Sequence, residues 1–153
     1  MSEWELKIVP INHQTQYMAK QVIFEGLYDY FGYIDNGLNE DLVCPADYYQ
    51  GNHRTLFTGT YQGLIVCTGG LIREDERIGR IVRISVLDKF RNRGFGREMV
   101  TFLEKKARLL SYKKVILETN KEWLATQVFY QRLGYKPVGG QAGLMELSKD
   151  LEG

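Results

Sequence analysis

Apolar and polar residues alternate in several short stretches of the chain, which predicts β-strands, and recur with a helical period in three longer stretches. The predicted strands cover residues 5–11, 55–61, 64–72, 79–87, 115–119, 135–138 and 144–148. The predicted helices cover residues 12–31, 94–111 and 121–133, with Asn12 or Thr15 as the N-cap of the first. Residues 32–52 show no clear period, so an irregular segment is predicted there. This order of elements predicts a mixed α/β fold, with parallel pairing where a helix connects two strands.

The composition favours a single folded domain spanning residues 1–153. Hydrophobic residues make up 44% of the chain and the net charge is +1, which argues against disorder and against a globally basic nucleic-acid-binding protein. The longest uncharged run, residues 62–72, is too short to span a bilayer. The N-terminus lacks the apolar segment of a signal peptide, so a cytoplasmic protein without membrane contact is predicted.

Candidate metal ligands and nucleophiles are scattered along the chain. Cys44 and Cys67 lack metal-type spacing, and His13 and His53 have no ligand-spaced partners in the sequence. The sequence therefore predicts no metal site and no cysteine or serine nucleophile.

The most informative segment is SVLDKFRNRGFGRE, residues 85–98, in which a β-rich run leads into a basic glycine turn that opens a helix. The first N–H groups of a helix lack intrahelical acceptors and carry partial positive charge. Gly94 and Gly96 have no side chains, so an anion can approach these N–H groups. Three arginines add positive charge nearby: Arg91, Arg93 and Arg97. The segment predicts a site for a pyrophosphate or a similar polyanion.

Other glycine-loop motifs fit less well. A dinucleotide fingerprint requires a third glycine where the chain has Met99, and the Gly-Lys-Ser/Thr of a Walker A loop is absent. An RNA-recognition signature has an aromatic residue where the chain has Arg97, and it lies on a strand rather than at the start of a helix. A helix N-terminus with ordinary turn glycines is the alternative that needs no ligand.

Two segments resemble the GNAT N-acetyltransferase family. RNRGFG, residues 91–96, is similar to the Q/R-x-x-G-x-G/A loop of that family, and VFYQRLGY, residues 128–135, is similar to a second segment typical of it. The resemblance extends over nearly the whole chain. It implies a mixed, mostly antiparallel central sheet of about six to seven strands, with a splayed parallel pair and flanking helices. It also implies acetyl-CoA as co-substrate and direct acetyl transfer to an amine.

The resemblance also implies where the cofactor binds. The backbone amides of the glycine loop are expected to hold the CoA pyrophosphate, and the strand near Val86 is expected to bind the pantetheine arm. Where the family commonly has an asparagine that contacts CoA, this chain has Trp123, while Asn120 lies nearby but out of register. The expected cofactor-binding residues are Val86, Arg91, Asn92, Arg93, Gly94, Phe95, Gly96, Arg97 and Asn120.

Transfer to an amine requires a base for the ammonium proton and an acid for the leaving thiolate. The resemblance assigns the acid to Tyr130, which could otherwise be a core tyrosine. Glu118, at the end of the strand VILET, is the candidate base, because α/β sheets bind ligands at the carboxyl ends of their strands. Glu118 could instead cap the next helix or pair with Arg83, and a water chain could carry the proton. Many family members have a glutamate on the strand before the loop, where this chain has Arg83 and Ser85.

Charge is distributed unevenly along the chain. Residues 89–114 contain nine basic and two acidic residues, whereas residues 28–50 contain five acidic and no basic residues. In the family, the latter region borders the acceptor side of the cleft, and carboxylates and aromatic rings attract cations. The expected acceptor-binding residues are Tyr28, Asp29, Tyr33 and Asp35. The predicted acceptor is a cationic amine, such as a polyamine, an aminoglycoside-like amine or a peptide amine. Ordinary turn chemistry is the alternative explanation for the acidic segment.

Two other functions remain as alternatives to acetyl transfer. A non-catalytic acyl-CoA sensor would keep the fold and the cofactor loop. An RNA-binding domain would use the basic loop, but it requires aromatic residues on a strand, whereas this loop opens a helix. A homodimer is compatible with the resemblance, since dimers are common among similar proteins.

Overall fold

The fold is built on one mixed sheet, seen in a computed structural model that describes residues 5–31 and 39–151, without the side chains of residues 28–31. The described strands are β1 (Lys7–Pro10), β2 (Arg54–Tyr61), β3 (Leu64–Arg73), β4 (Ile78–Val86), β5 (Lys114–Asn120), β6 (Lys136–Gly139) and β7 (Leu144–Asp150). The described helices are α1 (Gln16–Phe31), α2 (Pro45–Tyr48), α3 (Phe95–Leu109) and α4 (Leu124–Arg132).

The strand order across the sheet is β1-β2-β3-β4-β5-β7-β6. Neighbouring strands pair antiparallel except β4 and β5, which are parallel and joined by α3. Their pairing covers only Ile78–Arg80 opposite Lys114–Ile116, after which the two strands separate. The structure thus confirms the expected mostly antiparallel sheet with a splayed parallel pair.

Helices cover both faces of the sheet. The predicted apolar face of α3 is confirmed: Met99, Leu103 and Ala107 are fully buried in the larger core. On the opposite face, Ile23 of α1 packs with Leu42 in a smaller core. Within the described parts of the chain, no helix is long and apolar enough to cross a membrane.

Three local predictions are corrected. Helix α1 begins at Gln16 rather than at Asn12, so that Thr15, the other predicted N-cap residue, directly precedes it. The Asn12 carboxamide oxygen accepts the N–H groups of residues 14 and 15 in the turn before the helix. Residues 121–123 form a turn rather than the start of α4, and the carboxamide of Gln127 donates to the Lys121 carbonyl at 2.8 Å. The irregular segment 32–52 contains α2 and a short 3₁₀ turn, Glu40–Leu42.

A buried glutamate fixes α3 against the sheet next to α4. Glu104 accepts a hydrogen bond from the Tyr135 hydroxyl at 2.8 Å and pairs with the Lys149 ammonium at 3.0 Å. Burial and the negative charge of Glu104 raise the pKa of Tyr135, so its hydroxyl remains a donor. Through this network, α3 is held beside β7 and the chain that follows α4.

Candidate active site

A cavity of about 550 Å³ opens where β4 and β5 separate. It is lined by residues 81–86 of β4, by most of the glycine loop and by residues 117–119 at the end of β5. Residues of α1 and α4 complete its walls. The sheet topology therefore brings the loop and the two candidate catalytic residues, Tyr130 and Glu118, to one cavity.

The glycine loop presents backbone N–H groups to this cavity. Gly94 is the N-cap of α3 and has φ +89°, a left-handed conformation that favours glycine. The first intrahelical bond at this end runs from the Glu98 N–H to the Gly94 carbonyl, so the amides of residues 95–97 have no acceptor within the helix. Gly94, Gly96 and Arg97 all line the cavity. The arrangement suits an anion, and the anion site stays a prediction.

Two of the three loop arginines hold the loop in place. The Arg91 guanidinium donates to the Val86 carbonyl at 2.9 Å and contacts the Asp88 carboxylate at 3.2 Å. Arg91 and Val86 both line the cavity. The Arg93 guanidinium lies 5.2 Å from the Tyr61 ring centre and also stacks near two phenylalanine rings, and Arg93 is not among the lining residues. The side chain of Arg93 therefore buttresses the loop, and Arg97 is the exposed arginine that lines the cavity.

A bulge in β4 directs an arginine towards the segment after α1. The β3–β4 register shifts at this point, and Arg83 has φ +56°. Its guanidinium donates to both carboxylate oxygens of Asp41, at 2.7 and 3.0 Å, and to the Asn39 side chain at 2.9 Å. The Tyr49 hydroxyl also donates to Asp41. Asp41 belongs to the acidic segment that is predicted to attract a cationic acceptor, and the positive charge of Arg83 neutralises it.

The environment of Asp41 favours its ionised form. Burial alone would raise the pKa of this carboxyl group, but hydrogen bonds from Arg83 and Tyr49 and the positive charge of Arg83 outweigh burial. The net effect is a pKa below the ordinary value of 3.8.

A second acidic cluster lies where β4, β5 and β7 adjoin. The Arg80 guanidinium contacts three carboxylates: Glu74 at 2.9 Å, Glu146 at 3.3 Å and Glu118 at 3.5 Å. Glu118 and Glu146 face each other across β5 and β7. The sequence left Arg83 open as the partner of Glu118, but the structure pairs Glu118 with Arg80 instead. Three carboxylates around one guanidinium leave the cluster with net negative charge.

Tyr130 lies on α4 and is 6% exposed at the cavity wall. Its ring meets Phe129 and Tyr135 edge-on, at 5.0 and 5.7 Å between ring centres. These contacts fix the orientation of the ring while its edge remains part of the cavity surface. Thr119, also at the wall, is buried with no hydrogen-bond partner for its hydroxyl oxygen.

The structure does not bring every expected residue to the cavity. The Asn120 carboxamide oxygen accepts the Glu122 N–H at 2.8 Å in the turn before α4, and Asn120 does not line the cavity, whereas Trp123 does. The side chains of Tyr28 and Asp29, and all of Tyr33 and Asp35, lie outside the described residues. Nearby residues of α1, at positions 23, 26 and 27, do line the cavity.

Sequence reasoning missed the contribution of α4 beyond Tyr130. The first turn of α4 contributes Ala125 and Thr126 to the cavity wall. A neighbouring groove is lined by Leu124, Val128 and Arg132 of α4 together with Asn92 and Arg97 of the loop. No sequence signal identifies this groove, because it exists only where two helices far apart in the chain meet.

Comparison with known proteins identifies related sequences. A family model described as Acetyltransferase (GNAT) family matches residues 21–135, which include the glycine loop and Tyr130. An N-acetylaspartate synthetase from Danio rerio is 30% identical over 113 residues. The match covers 70% of this chain but 39% of that protein, so the chain spans well under half the length of this curated relative.

Solved structures share the fold at lower identity. A GNAT-family acetyltransferase from Staphylococcus aureus Mu50 matches with a TM-score of 0.85 and 18% identity, over 97% of this chain and 100% of the other. An aminoglycoside 6′-N-acetyltransferase complexed with coenzyme A matches with a TM-score of 0.75 and 16% identity, over 96% and 98% of the two chains. At these identities the comparison establishes the common fold.

The Arg83–Asp41 pair generates a pH-dependent prediction. Replacing Asp41 with Asn should lower the free energy of unfolding at neutral pH by about 1–3 kcal/mol, because a partly buried guanidinium loses its charged acceptor. Since the folded pKa of Asp41 is depressed, its contribution is complete above the ordinary value of 3.8 and is lost as the pH falls through the lower folded value. Urea denaturation at neutral pH and at about pH 3 should therefore show a difference between wild type and variant that shrinks in acid.

The exposed neighbour Glu40 supplies the control, since Glu40→Gln should change stability little at either pH. A loss in Asp41→Asn that is equal at both pH values, or no loss at all, would contradict the role assigned to the ion pair.

Proposed function

The chain belongs to the acetyltransferase (GNAT) family, and we propose that it transfers the acetyl group of acetyl-CoA directly to a primary amine. The observation that carries the proposal is that one cavity is lined by the helix N-terminus of the glycine loop, by Tyr130 and by Glu118. This chemistry needs a site for the cofactor's phosphates, an acid for the leaving thiolate and a route for the ammonium proton, and these residues are candidates for all three.

The residues at the cavity fit acetyl-CoA as co-substrate. The amides of residues 95–97, together with Arg97, suit a pyrophosphate, because they combine unpaired N–H donors with positive charge. The separated ends of β4 and β5 leave a slot beside Val86 for an extended arm. The groove along α4 adds Arg132 and apolar side chains, which suit the nucleotide end of the cofactor.

Glu118 and Tyr130, which line the same cavity, supply the proton transfers. An alkylammonium has an ordinary pKa of about 10.4 and becomes nucleophilic only after it loses a proton. Glu118, directly or through water, accepts this proton. The amine nitrogen then bonds to the acetyl carbonyl carbon, the carbon–sulfur bond breaks, and Tyr130 donates its hydroxyl proton to the thiolate. The nitrogen loses its second proton to the Tyr130 phenolate, directly or through water, which leaves a neutral amide and restores the tyrosine.

A cationic acceptor is supported by the second acidic cluster rather than by Asp41. Asp41 is neutralised by Arg83, whereas Glu74, Glu118 and Glu146 outnumber Arg80. An amine with additional positive charges would be drawn towards the part of the cavity wall that Glu118 lines.

An acceptor that carries a carboxylate is the second candidate. The Danio rerio relative is named for the acetylation of an acidic amino acid, and Arg83 lines the cavity of this chain. In this case Arg83 would share its donors between Asp41 and the carboxylate of the acceptor. The two candidates differ in the charge of the preferred acceptor.

An acceptor panel with CoA release as readout decides between these candidates. We expect polyamines and aminoglycoside-like amines to give higher kcat/KM than neutral amines or acidic amino acids, and we expect this value to fall as salt is added. Glu146→Gln should lower kcat/KM for a polyamine by about two- to fivefold, the scale of one partly exposed ion pair.

Glu76→Gln, at an exposed turn position, is the matched control and should change nothing. Preference for acidic amino acids would establish the second candidate, and binding of acetyl-CoA without turnover of any amine would favour the sensor.

The cofactor site is tested by Gly96→Val. A Cβ at this position would lie 3.4 Å from the Phe129 ring and 3.7 Å from Val86, an ordinary contact that folding can tolerate. A valine side chain would nevertheless occupy the approach to the helix N-terminus, so calorimetry should show at least tenfold weaker CoA binding. Thr101→Val, at an exposed position of the same helix, should bind CoA normally. Full affinity in folded Gly96→Val protein would remove the loop from the cofactor site.

The acid is tested by Tyr130→Phe, which keeps the ring contacts and removes the hydroxyl. We expect kcat to fall about 10²–10⁴-fold, the usual scale of general acid catalysis, with little change in the KM for acetyl-CoA. Tyr17→Phe, on the exposed surface of α1, is the control. An unchanged kcat, measured where chemistry is shown to limit the rate, would exclude Tyr130 as the acid.

A further inference from the structure

Three side chains of metal-ligating types meet where the turn after β1 faces the start of α2. The His13 imidazole Nε2 lies 2.7 Å from one carboxylate oxygen of Asp47, and the Cys44 thiol lies 3.1 Å from the other. All three potential ligand atoms lie within 4.8 Å of one another. Within residues 5–31 and 39–151, no other group of this kind is found.

The backbone around this cluster is held in place independently of the three side chains. The buried carboxamide oxygen of Gln16, at the start of α1, accepts the Ala46 N–H of α2 at 3.0 Å. The Asp47 N–H donates to the Cys44 carbonyl at 3.0 Å, so these two residues keep a fixed spacing within one turn. The turn that carries His13 is fixed by hydrogen bonds to Asn12. A ligand would therefore find the three side chains already close together.

One nitrogen, one sulfur and one oxygen donor form a set suited to a borderline-soft divalent ion. Zinc–ligand bonds of about 2.0–2.3 Å place tetrahedral ligand atoms about 3.3–3.8 Å apart. The two contacts to Asp47 are shorter because hydrogen atoms bridge them, so binding of an ion would require the side chains to rotate apart. We propose that His13, Cys44 and Asp47 form a binding site for a divalent transition-metal ion, with Zn²⁺ as the best fit and water in the fourth position.

Binding would replace hydrogen bonds with metal bonds. The Cys44 thiol would release its proton to solvent and bind as thiolate, and the imidazole would bind through Nε2 in its neutral form. None of the three residues lines the cavity between β4 and β5, so the ion would have no part in acetyl transfer. It would instead tie the turn after β1 to α2, close to Asp41 in the chain.

The experiment uses the full chain without a histidine tag, stripped of metal and kept reduced. Titration with Zn²⁺ against a chromogenic chelator should show one equivalent bound per chain, and added Zn²⁺ should raise the Tm. Titration with Co²⁺ should produce the near-ultraviolet charge-transfer band of a cobalt–thiolate bond. In Cys44→Ser this band should disappear.

The ligand variants localise the site. Cys44→Ser, His13→Ala and Asp47→Asn should each weaken Zn²⁺ binding at least tenfold, whereas His53→Ala should bind as the wild type does. Each of the three residues is at least partly exposed, and circular dichroism would establish that the variants are folded. Absence of stoichiometric Zn²⁺ binding, or an affinity and a cobalt spectrum unchanged by the three ligand substitutions, would overturn the proposal.

Discussion

The parallel pairing of β4 and β5 ends after three residues, and the candidate site depends on this early separation. Backbone groups that have no partner in a neighbouring strand need other hydrogen-bond partners, and side chains provide them for two carbonyls of β4. The Val86 carbonyl accepts the guanidinium of Arg91, and the Arg83 carbonyl accepts the Thr68 hydroxyl at 2.8 Å. The carbonyls of Val86 and Arg83 are thus paired with side chains, and the cavity opens where β4 and β5 separate.

The two arginines of β4 divide the nearby acidic groups into two kinds. Arg83 forms an ion pair with Asp41, and this pair connects the bulge of β4 to the segment that precedes α2. Arg80 faces three carboxylates and leaves their charge only partly compensated. On the same strand, Arg83 forms a structural ion pair, whereas Arg80, three residues earlier, is surrounded by a net negative charge. Counting acidic residues along the chain cannot separate these two situations.

Local sequence patterns predicted much of the fold, but not contacts between distant segments. The apolar period of α3 and the β-rich runs identified their elements because each pattern lies within one continuous stretch. The apolar period extends the predicted α4 back to residue 121, whereas Gln127 stabilises a turn at residues 121–123 through a side-chain contact that the period does not reflect. The glycine loop was recognisable because its N–H groups are consecutive.

The remaining parts of the site depend on tertiary contacts. The Arg93 guanidinium donates to the hydroxyl of Tyr61, more than thirty residues away in the chain. The meeting of His13 with Cys44 and Asp47 likewise requires the folded arrangement of α1 and α2. The spacing of these residues along the chain carries no information about either contact.

The attachment of the glycine loop has a consequence for binding kinetics. The side chains of Arg91 and Arg93 hold the loop through hydrogen bonds, and the Glu25 carboxylate accepts the Asp88 N–H just before it, at 2.9 Å. A loop fastened at three points loses little conformational entropy when an anion binds, and it needs no rearrangement beforehand. Anion association would then be limited by diffusion and electrostatic steering rather than by loop closure, and the bound and free loops would superimpose.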